Sequence, residues 1–259
     1  MAEIKTFFPV LEGAEKSEVK KLVLTCDKHG KYESEIVIYK NGFQEMSSGC
    51  PECIKEQEEA YERRLKKDKE EFYRSLNIEP EFFYKSFEDY KPCSASQKKA
   101  LEAVKRMVEQ KHGKVILVGS NGVGKTMLAS IAAKMLKGKI YSMYEITTMI
   151  RQSYTIKAEK TELEIVRELA SVPFLAIDEL GRTKGGETEQ NWLSYILDKR
   201  HCRKLPFMLM SNGHFKKYCK EGGCSRCFEN FVDNDILSRL HQDSSVIIID
   251  GPDNRVSRQ

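Results

Sequence analysis

The stretch Gly119-Ser120-Asn121-Gly122-Val123-Gly124-Lys125-Thr126 constrains this chain more than any other feature. It fits G-x-x-x-x-G-K-[ST] in full, with the apolar run KVILV before it and the helical run MLASIAAKMLK after it. Phosphate binding demands that context. The glycines let backbone N–H groups converge on phosphate oxygens, and the start of the following helix adds a favourable dipole. Lys125 is placed to reach β- and γ-phosphates, and the Thr126 hydroxyl to ligate Mg²⁺. The expected nucleotide-binding set is Gly119, Ser120, Asn121, Gly122, Val123, Gly124, Lys125, Thr126 and Met127.

Such a loop needs a partner, an apolar run ending in an acid, and it is expected on a neighbouring strand. Phe174-Leu175-Ala176-Ile177-Asp178-Glu179 fits. Asp178 is expected to hold Mg²⁺ through water, and Glu179 to polarise an attacking water. A later strand, Pro206 to Met210, ends in Ser211-Asn212, where a polar side chain is placed to reach a γ-phosphate. ATP hydrolysis, with ATP and Mg²⁺ bound, is the reading of this order.

The rest of the chain arranges itself around that core. From about residue 80, apolar runs alternate with helical patterns, the signature of parallel α/β layering. Helices are expected near 94–112 (Ser94 or Ser96 as cap), 125–137, 145–152, 161–170, 188–203 and 233–241. Strands are expected at 114–118, 139–143, 173–177, 206–210 and 245–250, five in all. Residues 55–74 are 14 of 20 charged, seven of each sign, and Ile54, Tyr61, Leu65, Phe72 and Leu76 form one narrow apolar stripe. That predicts a charged helix. The expected domains are a small N-terminal one at 1–53, a helical linker at 54–79 and the nucleotide domain at 80–259.

Cysteine spacing explains residues 1–53, whose short β-like runs (Lys21 to Thr25, Glu35 to Tyr39) carry little core. Cys26-x2-His29 and Cys50-x2-Cys53 each have the gap that turns two ligands toward one metal, with Gly30 and Gly49 for tight turns. Four such ligands suit structural Zn²⁺ and leave no position open for catalysis. A second cluster, Cys219, Cys224 and Cys227, needs a fourth ligand, with Cys202, His201 and His214 as candidates; thiols in an inserted loop are the alternative.

Composition sets outer bounds. With 259 residues and a net charge of +4, the chain affords a core of normal size, and its mild basicity permits a nucleic-acid surface without arguing for one. The most apolar runs, Val115–Val118 and Val246–Ile249, fall far short of the ~20 residues of a spanning helix. MAEIKTFFPVLEGAEK lacks a long apolar stretch behind a basic start, so no signal peptide is expected. The expected location is cytoplasmic, where cysteines serve as metal ligands or buried thiols.

The order GSNGVGKT, FLAIDELG, DKRHCRKLPFMLMSN, DILSRL and a terminal arginine resembles the DnaC/IstB group of AAA+ ATPases, within it the DnaC-type replicative helicase loaders. The resemblance covers about 80–259, and the CxxHG…CPxC pattern resembles a zinc element that precedes the ATPase domain in several DnaC-like proteins. It implies an AAA+ P-loop ATPase with a five-stranded parallel sheet flanked by helices, behind a small zinc domain and a charged helix. It implies that YKSFEDY (84–90) lines the adenine side, that Asn212 is a sensor, and that Arg239 is an arginine finger completing a neighbour's site. Arg255 is the expected second sensor, with Arg258 as the alternative. Arg151, Lys157 and Lys160, near Tyr154, are candidate contacts to single-stranded DNA, as are Arg182 and Lys184; a solvated helix face is the competing reading. The implied partners are a replicative helicase, single-stranded DNA and further copies of the chain in an ATP-dependent oligomer. The alternative is an IstB-type ATPase that assembles on duplex DNA and recruits a transposase.

Overall fold

The computed structural model describes residues 15–46, 49–181, 186–221, 223–224, 227–232, 237–238, 240 and 244–253. The chain divides into two compact units, Met1–Lys69 and Glu70–Gln259.

In the first unit, β1 (Lys16–Cys26), β2 (Gly30–Tyr39) and β3 (Gln44–Met46) form an antiparallel sheet in that order. β1 is longer than the apolar run Lys21–Thr25, because its polar first half pairs along β2 as far as Tyr39. β3 carries no strand pattern of its own and exists by pairing with Ile36–Ile38 of β2. Helix α1 (Pro51–Ser75) follows, with Pro51 at its first position, where a missing N–H costs nothing. It buries no residue along its length. Ile54, Tyr61, Leu65 and Phe72 of the apolar stripe are exposed, and Leu76, just past the helix, is buried. Pairs such as Glu59–Arg63 and Arg64–Asp68 line its surface, worth a few tenths of a kcal/mol each, about 0.3–0.5.

The second unit is a five-stranded parallel sheet flanked by helices. Its elements are α2 (Ala95–Gln110), β4 (Lys114–Val118), α3 (Lys125–Leu136), β5 (Lys139–Ser142), α4 (Met143–Gln152), α5 (Glu162–Ser171), β6 (Leu175–Leu180), α6 (Glu187–Cys202), β7 (Phe207–Ser211) and β8 (Ser244–Ile248). Ser94 caps α2, accepting from the Gln97 amide while the Gln97 side chain returns the bond. The expected helix 233–241 falls largely outside the described residues.

Sheet order is β5-β6-β7-β4-β8. Strand alternation sorts the core onto two faces. Val115 and Leu117 of β4, with Ala176 of β6 and Met208 and Met210 of β7, face a layer built from α2 and α3. Ile116, Val118, Leu175, Ile177, Phe207 and Leu209 face the layer of α4, α5 and α6. Small residues at the first layer (Ala100, Ala103, Ala129, Ala132 and Ala133, all buried) let α2 and α3 lie close to each other and to the sheet.

The order corrects one expectation. The acid-bearing strand β6 is not the neighbour of the phosphate-loop strand β4, because β7 pairs with both. The β4–α3–β5 crossover carries the chain to the far edge, and β6 and β7 then fill the gap inward. Helix α3 spans that gap, so its first turn still meets the end of β6.

Buried Arg200 on α6 locks this layer. Its guanidinium donates to Leu169 O (3.0 Å), Val172 O (2.8 Å) and Pro206 O (2.7 Å), tying the end of α5 to the start of β7. With no carboxylate paired to it among the described residues, burial pulls it down to about 9, still charged at neutral pH.

Candidate nucleotide site and metal clusters

The phosphate loop curves from the end of β4 into α3. Gly124 has φ +95°, and a Cβ there would meet Tyr90 Cε2 at 2.5 Å. Only glycine allows both the left-handed backbone and the approach of the ring. Tyr90 in turn donates from its hydroxyl to Val123 O at 3.2 Å, and Gln97 Nε2 donates to the same oxygen at 3.3 Å. The aromatic segment 84–90 therefore braces the loop from behind. Gly119 lies against Ile249 and donates its N–H to Ser211 O at 3.0 Å.

Lys125 is buried, and its ammonium donates to Gly119 O (2.8 Å) and Ser120 O (2.7 Å), which holds the charge inside the curve of the loop. Thr126 Oγ1 donates to Asp178 Oδ2 at 2.8 Å. These two side chains come from segments 52 residues apart, and their oxygens converge where a hard divalent cation takes oxygen ligands. Burial pushes the Asp178 carboxyl above its usual range, against the bonds from Thr126 and the Glu179 amide and the attraction of Lys125. A cation there removes that penalty.

Glu179 follows with φ +56°, a left-handed conformation for a residue with a side chain. The β6–β7 register shifts between Ile177 and Leu180 at the same place. Such strain costs of order 1–3 kcal/mol and is held by its surroundings. Here the Glu179 amide donates to Asp178 Oδ1 at 2.7 Å, and Ser211 Oγ donates to Leu180 O at 2.6 Å just beyond. The strand end is thus kinked and clamped, with the two acids side by side. Asn212, half-buried, directly follows Ser211 at the end of β7. Ser211 escaped the sequence reading as a bridge: its carbonyl holds the phosphate loop and its hydroxyl holds β6. A serine beside the expected sensor was the only signal.

At the far end of β8, Ser94 Oγ donates to Asp250 O at 2.9 Å, and Ser96 bonds the Asp250 side chain. The Asp253 carboxylate lies against Gly122. The chain beyond β8 therefore reaches the phosphate loop. Arg239, Arg255 and Arg258 lie outside the described residues, as do Arg182 and Lys184.

Of the candidate DNA contacts, Arg151 sits 3.6 Å from Glu189 and Lys160 pairs with Glu168. Tyr154 is exposed, its hydroxyl on Glu162. Lys157 is exposed and makes no ion pair among the described residues. Of these, Lys157 and Lys160 line an open pocket of about 580 Å³, together with Lys139, Tyr141, Met149 and Glu168 among others.

Cys26, His29, Cys50 and Cys53 converge, their ligand atoms within 4.8 Å of one another. Cys26 ends β1, His29 sits in the β1–β2 turn before Gly30 (φ +78°), and Cys50 and Cys53 flank the start of α1 after Gly49 (φ +73°). Nδ1 of His29 is 3.8, 3.6 and 3.3 Å from the sulfurs of Cys26, Cys50 and Cys53. A tetrahedron with Zn–S of about 2.3 Å and Zn–N of about 2.0 Å has edges of about 3.5–3.8 Å. The other ring nitrogen, Nε2, faces Glu56 Oε1 at 3.3 Å, which leaves the Nδ1 lone pair for a metal. The Cys26 thiol is pulled down to about 6, chiefly by the His29 and Lys28 amides and the Cys53 thiol. The cradle fits Zn²⁺ in number, type and spacing.

The second cluster also converges. Its fourth member is His214; Cys202 and His201, both on α6, are not part of it.

The comparisons agree with this architecture. The chain is 28% identical over 143 residues to the replicative helicase loader DnaC of Escherichia coli K12, covering 52% of this chain and 58% of that protein. It is 30% identical over 135 residues to the DnaC of Buchnera aphidicola (subsp. Schizaphis graminum), covering 49% and 55%. The chain thus spans little more than half the length of these curated relatives. Among solved structures, a DnaC helicase loader matches 66% of this chain and 100% of its own at TM-score 0.51 and 19% identity. The structure titled DnaI matches 67% and 95% at 0.52 and 22%, and AMPPCP-bound DnaA of Aquifex aeolicus matches 67% and 51% at 0.54 and 20%. They share the AAA+ fold. With the matching family model extending over residues 52–259, this chain belongs to the IstB-like ATP binding proteins.

Proposed function

We propose that the chain hydrolyses ATP to ADP and phosphate and uses the cycle to load or remodel a replicative helicase on single-stranded DNA. The observation that carries hydrolysis is the junction of Thr126 with Asp178 beside a strained Glu179, at the mouth of a complete phosphate loop. In this reading the amides of 119–127 and the Lys125 ammonium hold the phosphates. Thr126 and Asp178 hold Mg²⁺, which neutralises charge on the transferring phosphoryl group. Glu179 orients the attacking water, and Asn212 faces the γ-phosphate from β7. Arg239 from a neighbouring copy completes the site, and Arg255 reaches the γ-phosphate of its own subunit, so ATP drives oligomer assembly.

The organisation we propose is a zinc-binding domain at 1–53, a helical linker at 54–79 and the ATPase domain at 80–259, working in the cytoplasm. Among the described residues no helix is long and apolar enough to cross a membrane. Zn²⁺ on Cys26, His29, Cys50 and Cys53 supplies folding energy to a domain with almost no core; among the described residues of 1–53 only Ser34 and Cys50 are buried. That domain and α1 present the surface for the helicase. Arg151, Lys157 and Lys160 contact single-stranded DNA, supported by the exposed Tyr154, which offers a stacking face.

Membership of the IstB-like ATP binding proteins keeps one other reading, that implied by the resemblance to IstB-type ATPases: assembly on duplex DNA to recruit a transposase. A helicase-deposition assay on protein-coated single strands separates the two. Stimulated deposition that needs ATP supports loading. No stimulation, with ordered filaments on duplex DNA, supports the transposition reading.

A further inference from the structure

Strand β7 leads from the nucleotide site straight into a loop of unusual chemistry. Within fourteen residues it presents His214, Cys219, Cys224 and Cys227, whose ligand atoms all lie within 4.8 Å of one another. Nε2 of His214 is 3.4 Å from the Cys224 sulfur and 3.6 Å from the Cys227 sulfur. Those separations match the edges of about 3.5–3.8 Å expected for three thiolates and one imidazole around Zn²⁺.

The backbone is shaped for the same purpose. Gly223 has φ +152°, allowing the turn into Cys224. Cys227 N donates to Cys224 O at 3.1 Å, closing the short turn that brings both sulfurs to one side. His214 pairs with Cys227 in an isolated parallel bridge, and Phe228 N donates to His214 O at 2.8 Å. Cys227 is buried, while Cys219 and Cys224 are partly buried.

We propose that His214, Cys219, Cys224 and Cys227 bind a second, structural Zn²⁺ that holds this loop against the catalytic edge of the sheet. The loop delivers three aromatic rings to that edge. Phe215 and Phe228 pack edge to face at 5.5 Å within the buried core. Phe231 covers Gly181, whose added Cβ would meet its ring at 2.6 Å. Gly181 directly follows β6, the strand carrying Asp178 and Glu179, and His214 lies three residues after Ser211, the last residue of β7. Gln190 of α6 donates to Asn230 O at 2.9 Å from the third side. Four ligands on one ion hold the ends of this loop in register where chain entropy opposes it.

This inference stands apart from the loading function, because metal content is measured without nucleotide or DNA. The full chain is purified with Zn²⁺ supplied, freed of loose metal and assayed for zinc per chain. The decisive form is Cys50→Ser/Cys53→Ser, which leaves the second unit untouched. We expect it to retain one zinc per chain; a metal-free protein overturns the proposal. Adding His214→Cys in that background and loading Co²⁺ tests the ligand set. The thiolate-to-cobalt absorption should rise as for four sulfurs instead of three, with one metal still bound. An unchanged spectrum excludes His214 as the ligand. Failure of the N-terminal cluster alone would instead show as one zinc in wild type, unaffected by Cys50→Ser/Cys53→Ser.

Discussion

Thr126 Oγ1, in the first turn of the helix that follows β4, and Asp178 Oδ2 on β6 meet at 2.8 Å although β7 separates those two strands in the sheet. Helix α3 makes the meeting possible by starting at the end of β4 and leaning across β7. The pair therefore reports on the whole crossover, and it sets a hydroxyl beside a partly buried carboxylate, the two groups proposed to hold Mg²⁺.

Asp178→Asn should abolish hydrolysis while leaving the fold at least as stable as wild type. Losing the metal's stabilisation of the transition state corresponds to about 10²-fold or more in turnover. The stability sign follows from the raised Asp178 carboxyl. A carboxyl whose folded value lies above its unfolded one opposes folding once pH exceeds that folded value, and is neutral in effect well below the unfolded one. The variant should thus melt higher than wild type at neutral pH, with the difference shrinking in acid. Thermal melts across pH, without nucleotide, give the test; a lower melting point at neutral pH contradicts it.

Gly124→Ala should destroy nucleotide binding and cost about 1–3 kcal/mol of stability, since a Cβ at φ +95° would enter the Tyr90 ring. Tyr90→Phe should be far milder, losing one hydrogen bond to Val123 O, worth about 1 kcal/mol. Urea midpoints and binding of a fluorescent ATP analogue rank the two; equal effects would show that the ring does not brace the loop.

Arg200→Met should destabilise the second unit by about 2–4 kcal/mol, because three carbonyls lose their donor in a buried layer. Arg200→Lys should recover little, as one ammonium cannot span the planar fork. Chemical denaturation measures both. A full rescue by lysine would mean that charge alone, and not the fork, holds α5 to β7.

Removing zinc from the N-terminal cluster should unfold the first sheet and leave the second unit folded. Apparent binding energies of structural zinc sites reach about 10–16 kcal/mol, far more than this nearly coreless sheet supplies itself. Circular dichroism and limited proteolysis with and without chelator, on Cys224→Ser/Cys227→Ser protein to isolate the first cluster, check it. A protease-resistant first unit after complete zinc removal contradicts this.

Much of the second unit was legible because its signals are local. The phosphate loop, the acid pair and the strands that carry them are each short runs whose residue types answer one physical demand. Strand neighbours were not legible: nothing in FLAIDEL states that β7 will lie between it and β4, since that choice is made by the long α3 crossover. The kink at Glu179 was equally hidden, as a strained φ leaves no mark in sequence. Ser211 and Arg200 escaped because a serine after a strand and an arginine on an amphipathic helix ordinarily face solvent. In the first unit the convergence of Cys26, His29, Cys50 and Cys53 was plain from spacing, whereas β3 was not, because Gln44–Met46 becomes a strand only by borrowing β2.

The most direct measurement is phosphate release from ATP with Mg²⁺, with and without single-stranded DNA, by wild type beside Lys125→Ala and Glu179→Gln, paired with nucleotide binding by each. Wild type should show Mg²⁺-dependent turnover, Lys125→Ala should lose binding, and Glu179→Gln should keep nucleotide binding intact with at least ~100-fold slower release. Wild-type rates retained by Glu179→Gln would contradict it.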